Sequence, residues 1–202
     1  MGNNRWKIGV MVAAAALFVL LAIYHNAPLM QAFDRAMDGW LGGITWFKPF
    51  SFLGNPSTIV TVCLVVIVLL LIRRSPRDAL FIVLAAGLGY ALNEGLKEWF
   101  ARPRPDRPGQ LESYSFPSGH AQMGLLYVSS IAIIAVRRIR ERHWRGLLIS
   151  VAALLIAGMG LSRIALGRHY ATDVLAGWAA GTAYLSLLLI LFSFWEKDRS
   201  RS

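Results

Sequence analysis

Six apolar segments, each close to the length of a bilayer crossing, constrain this 202-residue chain more than any other feature. They cover residues 8–24, 56–72, 79–96, 120–136, 146–161 and 174–195. A helix needs roughly 17–25 apolar residues to cross the hydrocarbon core, and these runs lie in or just below that range. None alternates apolar and polar residues with the two-residue period of a transmembrane strand. Within lipid only helices and closed barrels satisfy every backbone N–H and C=O, so the expected fold is all-α: a polytopic membrane protein with a six-transmembrane-helix bundle. Hydrophobic residues make up 56% of the chain and charged residues 16%, too apolar a balance for a soluble domain of this length. No internal repeat or low-complexity linker divides the chain, so residues 1–202 read as one domain.

Arg5 and Lys7 precede the first run as they would in a signal peptide. A signal h-region ends at about 15 residues, however, and no small-x-small cleavage site follows, so the first run reads as a crossing. After it, Leu29, Met30, Phe33, Met37, Trp40 and Leu41 recur at helical spacing, with Gln31, Asp34, Arg35 and Asp38 between them. This pattern fits a helix lying in the membrane surface and equally one packed on the end of the bundle.

Charge gives the bundle a direction. Thirteen of the 21 Lys and Arg lie in four regions that parity puts on one side: Arg5 and Lys7; Arg73, Arg74 and Arg77; Arg137, Arg138, Arg140, Arg142 and Arg145; Lys197, Arg199 and Arg201. The other side holds Arg35, Lys48, Lys97, Arg102, Arg104, Arg107, Arg163 and Arg168 against seven acids. By the positive-inside rule the first side is cytoplasmic, with both termini inside. The net charge of +10 is thus mostly a topology signal, and nucleic acid is not an expected partner.

On the nearly neutral outer side the polar residues fall into three groups: 97–105 (KEWFARPRP), 117–120 (PSGH) and 162–173 (SRIALGRHYATD). They are far apart in sequence, yet crossing parity brings them to one end of the bundle. Lys97, Arg104 and Arg163 with His120, His169 and Asp173 make a poor metal cage, because the cations would repel the ion. They make a good oxyanion cradle: Arg presents a planar fork to phosphate oxygens, and Lys a compact charge. Pro117, Ser118 and Gly119 stand where a helix should begin, and the free N–H groups of its first turn favour an anion. On that segment alone, Ser118 reads more simply as a helix cap. His169 and Asp173 are four residues apart, one turn on a helix, where a carboxylate can fix the imidazole tautomer and leave the other nitrogen free to attack. Glu94 is spaced to pair with Lys97, and Arg102, Arg107 and Arg168 read as a positive rim. His25 and His143 lie outside the three groups. Cys63, the one cysteine, excludes an intrachain disulfide and reads as a packing residue. Gly177 and Gly181 form a GxxxG pattern that suits tight packing within the bundle better than a dimer.

Lys97 followed by six residues and Arg104-Pro105, the Pro117-to-His120 tetrad, and Ser162-Arg163 with five residues before His169 and three more before Asp173 agree in order and spacing with a known signature. In this the chain resembles the type 2 phosphatidic acid phosphatase superfamily of membrane lipid phosphatases. The resemblance implies a six-helix core and a metal-independent enzyme without cofactor. It implies that His169 is the nucleophile that becomes a phosphohistidine, Asp173 its orienting partner, and His120 the acid that protonates the departing lipid oxygen. Lys97, Arg104, Ser118, Gly119 and Arg163 would hold the phosphoryl oxygens. Expected substrates are phosphatidylglycerophosphate, undecaprenyl pyrophosphate, phosphatidate, diacylglycerol pyrophosphate or lipid A phosphate, acted on at the extracytoplasmic face of a bacterial plasma membrane by a monomer. A transporter would carry ionisable groups near mid-membrane, where these crossings have almost none, and a non-catalytic lipid-binding relative would be expected to lack one of the two histidines.

Overall fold

The computed structural model describes residues 4–110 and 112–199; Arg201 of the C-terminal basic group lies outside them. Among these residues the chain forms nine α-helices: α1 (Arg5–Tyr24), α2 (Pro28–Leu41), α3 (Lys48–Leu53), α4 (Pro56–Ile72), α5 (Pro76–Val83), α6 (Gly89–Phe100), α7 (Gly119–Val136), α8 (Arg142–Ala165) and α9 (Ala171–Arg199). A π turn at Leu84–Leu88 joins α5 to α6, so Pro76–Phe100 runs as one 25-residue rod. Proline opens α2, α4 and α5, where its missing N–H costs no helical bond and its fixed φ suits the first turn.

Five helical stretches are long and apolar enough to cross a membrane: α1, Pro76–Phe100, α7, α8 and Ala171–Trp195 of α9. A sixth span is formed by Thr45–Leu53 and α4 taken together, which are long and apolar enough as a pair and bent by 46° at the break between them. Large apolar side chains such as Leu20, Leu64, Val68, Leu154 and Leu191 remain exposed along these rods, as a lipid-facing surface requires. The main core lies inward, around Ile82, Leu126 and Met159, all fully buried between α4, the α5–α6 rod, α7 and α8. Helix α9 crosses the start of α7 at Gly177 and Gly181. A Cβ on Gly177 would stand 2.6 Å from the Ser118 carbonyl oxygen, so the GxxxG pattern serves packing within the bundle.

The basic ends meet at the end of the bundle away from the three polar groups. Asn4 donates to Ser193 Oγ at 2.8 Å, Arg77 to the Phe192 carbonyl at 2.7 Å, and Arg138 pairs with Asp78 at 2.5 Å. At the opposite end, α2 packs on the ends of α8 and α9 through Met30, Met37 and Leu41, while Leu29, Phe33 and Trp40 face outward. The helix is thus packed on the end of the bundle, one of the two readings its pattern allowed, with one correction: Asp34, read as part of its polar face, is buried. The 101–118 connection is pinned by Phe116, fully buried against Phe18, Phe100 and the ring of His25, with centroids 5.0–5.9 Å away. That anchor fixes where α7 begins.

Candidate active site

All three polar groups meet at one end of a cavity of about 1070 Å³. His120, His169, Lys97, Arg104, Arg163 and Gly119 line this end. The cavity then continues between α4 and the α5–α6 rod, where Ile59, Val60, Cys63, Ile67, Val83 and Ala86 give it apolar walls. A single space therefore joins a cationic head to an apolar cleft.

His169 lies two residues before α9, in the turn after α8 rather than on the same helix as Asp173, with its N–H bonded to the Arg163 carbonyl at 3.2 Å. Its Nδ1 lies 2.8 Å from the carbonyl oxygen of Ser115 and 3.5 Å from Asp173 Oδ2. A carbonyl only accepts, so Nδ1 carries the proton and Nε2 holds the free lone pair. That lone pair faces Arg104 Nη1 at 3.1 Å. Burial lowers the His169 pKa to about 4, against the raising effect of Asp173, so the ring is neutral near pH 7. The tautomer is set first by Ser115, a residue outside the three motifs, because Asp173 is occupied elsewhere. Its Oδ1 accepts from Arg102 Nη1 at 2.5 Å and its Oδ2 from the Tyr170 N–H at 2.9 Å.

Arg104 spends its donors on neutral acceptors: Ser113, the carbonyls of Tyr114 and Arg168, and His169. Burial pushes its pKa below the ordinary arginine value, the cost of a cation with no carboxylate in contact. Arg163, 5% exposed, donates from Nη1 to Ser51 Oγ at 2.8 Å and leaves its Nε without a partner. Ser118 stands at the N-cap position of α7 yet makes no capping bond; its Oγ is fully buried and also without a partner. Buried donors left open in this way are stabilised by an acceptor placed among them. The first-turn N–H groups of α7 add to the same positive field. Lys97 pairs with Glu94 at 2.7 Å, the ion pair its spacing predicts, and comes within reach of Gly119: a Cβ there would lie 3.5 Å from Lys97 Nζ. Among the described residues, no three His, Cys, Asp or Glu side chains group as metal donors.

His120 opens α7 across the cavity, its Nε2 3.3 Å from Asn55 Oδ1. Its ring rests on Gly54, where a Cβ would come within 2.4 Å of His120 Cδ2. Residues 51–55 therefore furnish three groups to the site, Ser51, Gly54 and Asn55, none marked by the sequence motifs. Beneath the Pro117–Gly119 turn, Asn93 donates to Gln122 Oε1 at 2.9 Å, and Gln122 to the Gly89 carbonyl at 3.1 Å. These buried amides fix α6 against the start of α7.

Arg102 corrects the rim assigned to it. It is 6% exposed and sits between Asp173 and Asp34. Its neighbours Arg107 and Arg168 do lie at the surface, Arg107 paired with Asp38 at 2.6 Å and Arg168 donating to the Gly109 carbonyl. Two Arg-Pro pairs follow one another at 102–105, and only the second fits the six-residue spacing. The repeat was the one available signal for Arg102; Asp34 carried none.

Fold and site together define a multi-pass helical membrane protein built to hold the phosphate of an amphiphile. The PAP2 superfamily matches residues 78–197, and the chain belongs to that family. It is 29% identical over 198 residues to phosphatidylglycerophosphatase B of Bacillus subtilis, covering 92% of this chain and 95% of that one. It is 30% identical over 193 residues to an undecaprenyl-diphosphatase of Sulfolobus acidocaldarius, covering 86% of each. The crystal structure of a transmembrane PAP2-type phosphatidylglycerolphosphate phosphatase from Bacillus subtilis superposes with a TM-score of 0.83 at 26% identity, covering 91% of this chain and 96% of that one. Aquifex aeolicus LpxE shares the fold, with a TM-score of 0.55 at 24% identity, over 85% of this chain and 93% of its own. The protein is a membrane lipid phosphatase, metal-independent as its family is.

Proposed function

We propose that this chain removes the terminal phosphate of phosphatidylglycerophosphate at the extracytoplasmic face of the plasma membrane, through a phosphohistidine on His169. The observation that carries the reading is the single cavity joining the cationic head to an apolar cleft between α4 and the α5–α6 rod. A lipid entering sideways brings its phosphate to the motifs while its tails stay in the cleft and the surrounding bilayer. Lys97, Arg104, Arg163, Ser118 and the backbone at Gly119 hold the phosphoryl oxygens and stabilise charge on the equatorial plane. His169 Nε2 attacks phosphorus as the P–O bond to the lipid breaks, and His120 gives a proton to the departing oxygen. Water then attacks phosphorus, the N–P bond breaks, His120 takes the water's proton, and inorganic phosphate leaves. Asp173, with Ser115, holds the attacking ring.

Near-complete mutual coverage with the Bacillus subtilis phosphatidylglycerophosphatase, in sequence and in structure, supports phosphatidylglycerophosphate as substrate. The similarity to an undecaprenyl-diphosphatase favours an isoprenoid diphosphate as the second reading. The proposed protein is a monomer of one domain over residues 1–202, with both termini cytoplasmic. Its function is tested by phosphate release from detergent-purified protein in EDTA across a panel of lipid phosphates. Turnover is expected to be fastest with phosphatidylglycerophosphate. Preference for an undecaprenyl diphosphate transfers the assignment to the second reading, and activity that requires an added divalent ion overturns the chemistry.

Gly54 provides a further check, since its missing side chain makes room for His120. Gly54→Ala is expected to displace that ring and lower kcat about 10- to 100-fold, with the melting temperature in detergent moving by no more than a few degrees. Wild-type kcat in this variant would show that the packing of residue 54 on His120 has no bearing on the reaction.

A further inference from the structure

A buried ion network ties the surface helix α2 to the proposed nucleophile. Asp34 enters from α2, 6% exposed, and holds the start of α9 from outside it: Oδ1 accepts the Thr172 N–H at 2.8 Å and Oδ2 the Thr172 hydroxyl at 2.9 Å. The same Oδ2 receives Arg102 Nη2 at 3.1 Å. The other fork nitrogen of Arg102 reaches Thr172 Oγ1 at 2.8 Å and Asp173 Oδ1 at 2.5 Å, with the guanidinium carbon 4.1 Å from the centre of the Tyr170 ring. Asp173 in turn lies 3.5 Å from His169 Nδ1. A separate cavity of about 420 Å³ borders Arg102 on its α2 side, so its place is set by its polar partners and Tyr170 more than by close packing all round.

We propose that Arg102 and Asp34 are positioning residues for phosphoryl transfer, holding the Asp173 carboxylate, and through it the His169 ring, in the attacking orientation. The inference rests on the phosphohistidine reading above. Two carboxylates share one guanidinium here. A lysine in place of Arg102 supplies the charge but not the fork that reaches Asp34 and Asp173 together. Docking of α2, whose Leu29 and Trp40 face outward, thereby becomes part of the geometry of attack. A purely structural ion network makes a different demand: neutralising Asp34 together with Arg102 should cost less than neutralising Arg102 alone, because one buried carboxylate rather than two is then left without its cation.

The test compares Arg102→Gln, Asp34→Asn and the double variant with wild type in detergent micelles, using phosphatidylglycerophosphate for turnover and orthovanadate and inorganic phosphate as inhibitors or ligands. Vanadate takes five-coordinate geometry with an imidazole at its apex and so reports the direction of His169, whereas ground-state phosphate binding needs only the cations. The expected result for each single variant is a fall in kcat of about 10- to 100-fold with KM held within about 3-fold. Vanadate affinity is expected to fall in parallel, phosphate inhibition to stay near wild type, and the double variant to remain slow. Restored kcat in the double variant, unchanged kcat in either single variant, or equal losses of vanadate and phosphate binding would overturn the proposal. Should Arg102→Gln fail to accumulate, Arg102→Lys, which keeps the charge and loses the fork, carries the kcat, KM, vanadate and phosphate comparisons. Equilibrium vanadate binding involves no lipid, so a wrong substrate assignment leaves this reading intact. Wild type that binds no vanadate and releases no phosphate overturns both.

Discussion

Replacing His169 by alanine is expected to abolish phosphate release while leaving a folded, membrane-inserted protein. Both nitrogens of the His169 ring are accounted for: Nδ1 on the Ser115 carbonyl and Nε2 facing Arg104 at the cationic head of the cavity. Without it no covalent intermediate forms, and loss of a nucleophile that acts together with a proton donor costs on the order of 10⁴–10⁶ in kcat. The measurement is phosphate release under substrate saturation, with membrane insertion and melting followed in parallel. Near-normal turnover in His169→Ala would remove the nucleophile assignment. Acid stability gives a second readout with a definite sign. Burial lowers the His169 pKa from its ordinary 6.5 to about 4, so its neutral ring stabilises the fold fully above pH 6.5, and this contribution drains away as pH falls through that interval toward 4. The melting temperature of the wild type is expected to drop across that window more steeply than that of His169→Ala. Identical pH dependence in the two would place the acid-sensitive group elsewhere.

What the sequence made legible depended on where each property is encoded. Crossings are encoded locally, by runs of apolar residues, and so they were found within a few positions of their ends; the rod Pro76–Phe100 exceeds the apolar run 79–96 because its polar last turn faces the site. The three motifs were legible because a phosphate requires several donors at once, and parity of crossings carries them to one face. Residues that act by meeting a partner from another segment left no such trace. Asp34 looked like one more polar residue on an amphipathic helix, yet it is buried because Arg102 and the open N-terminus of α9 stand opposite it. Ser115 works through its backbone carbonyl, for which any residue type would serve. Gly54 matters for what it lacks, and only the position of His120 reveals that. Ser118 shows the reverse case: the local pattern favoured a helix cap, but its buried hydroxyl makes no capping bond and has no partner.

His120→Asn is expected to separate the two halves of the reaction. A lipid alkoxide is a poor leaving group, so breaking its bond to phosphorus depends on a proton delivered as the bond stretches, and general acid help of this kind is worth about 10²–10⁴ in rate. With phosphatidylglycerophosphate, kcat should therefore fall by that factor. With p-nitrophenyl phosphate, whose phenolate leaves without a proton, formation of the phosphohistidine should proceed at close to the wild-type rate. Hydrolysis of that intermediate still needs a base for the attacking water, so the variant should give a burst of nitrophenol followed by slow turnover, with an acid-labile phosphoryl group retained on the protein. Asn keeps the ring's polar character beside Asn55 and Gly54, which limits loss of packing as an explanation. Equal losses on both substrates with no burst would mean that His120 serves the phosphoryl oxygens, as the neighbouring cations do, and that the proton for the lipid oxygen comes from another group.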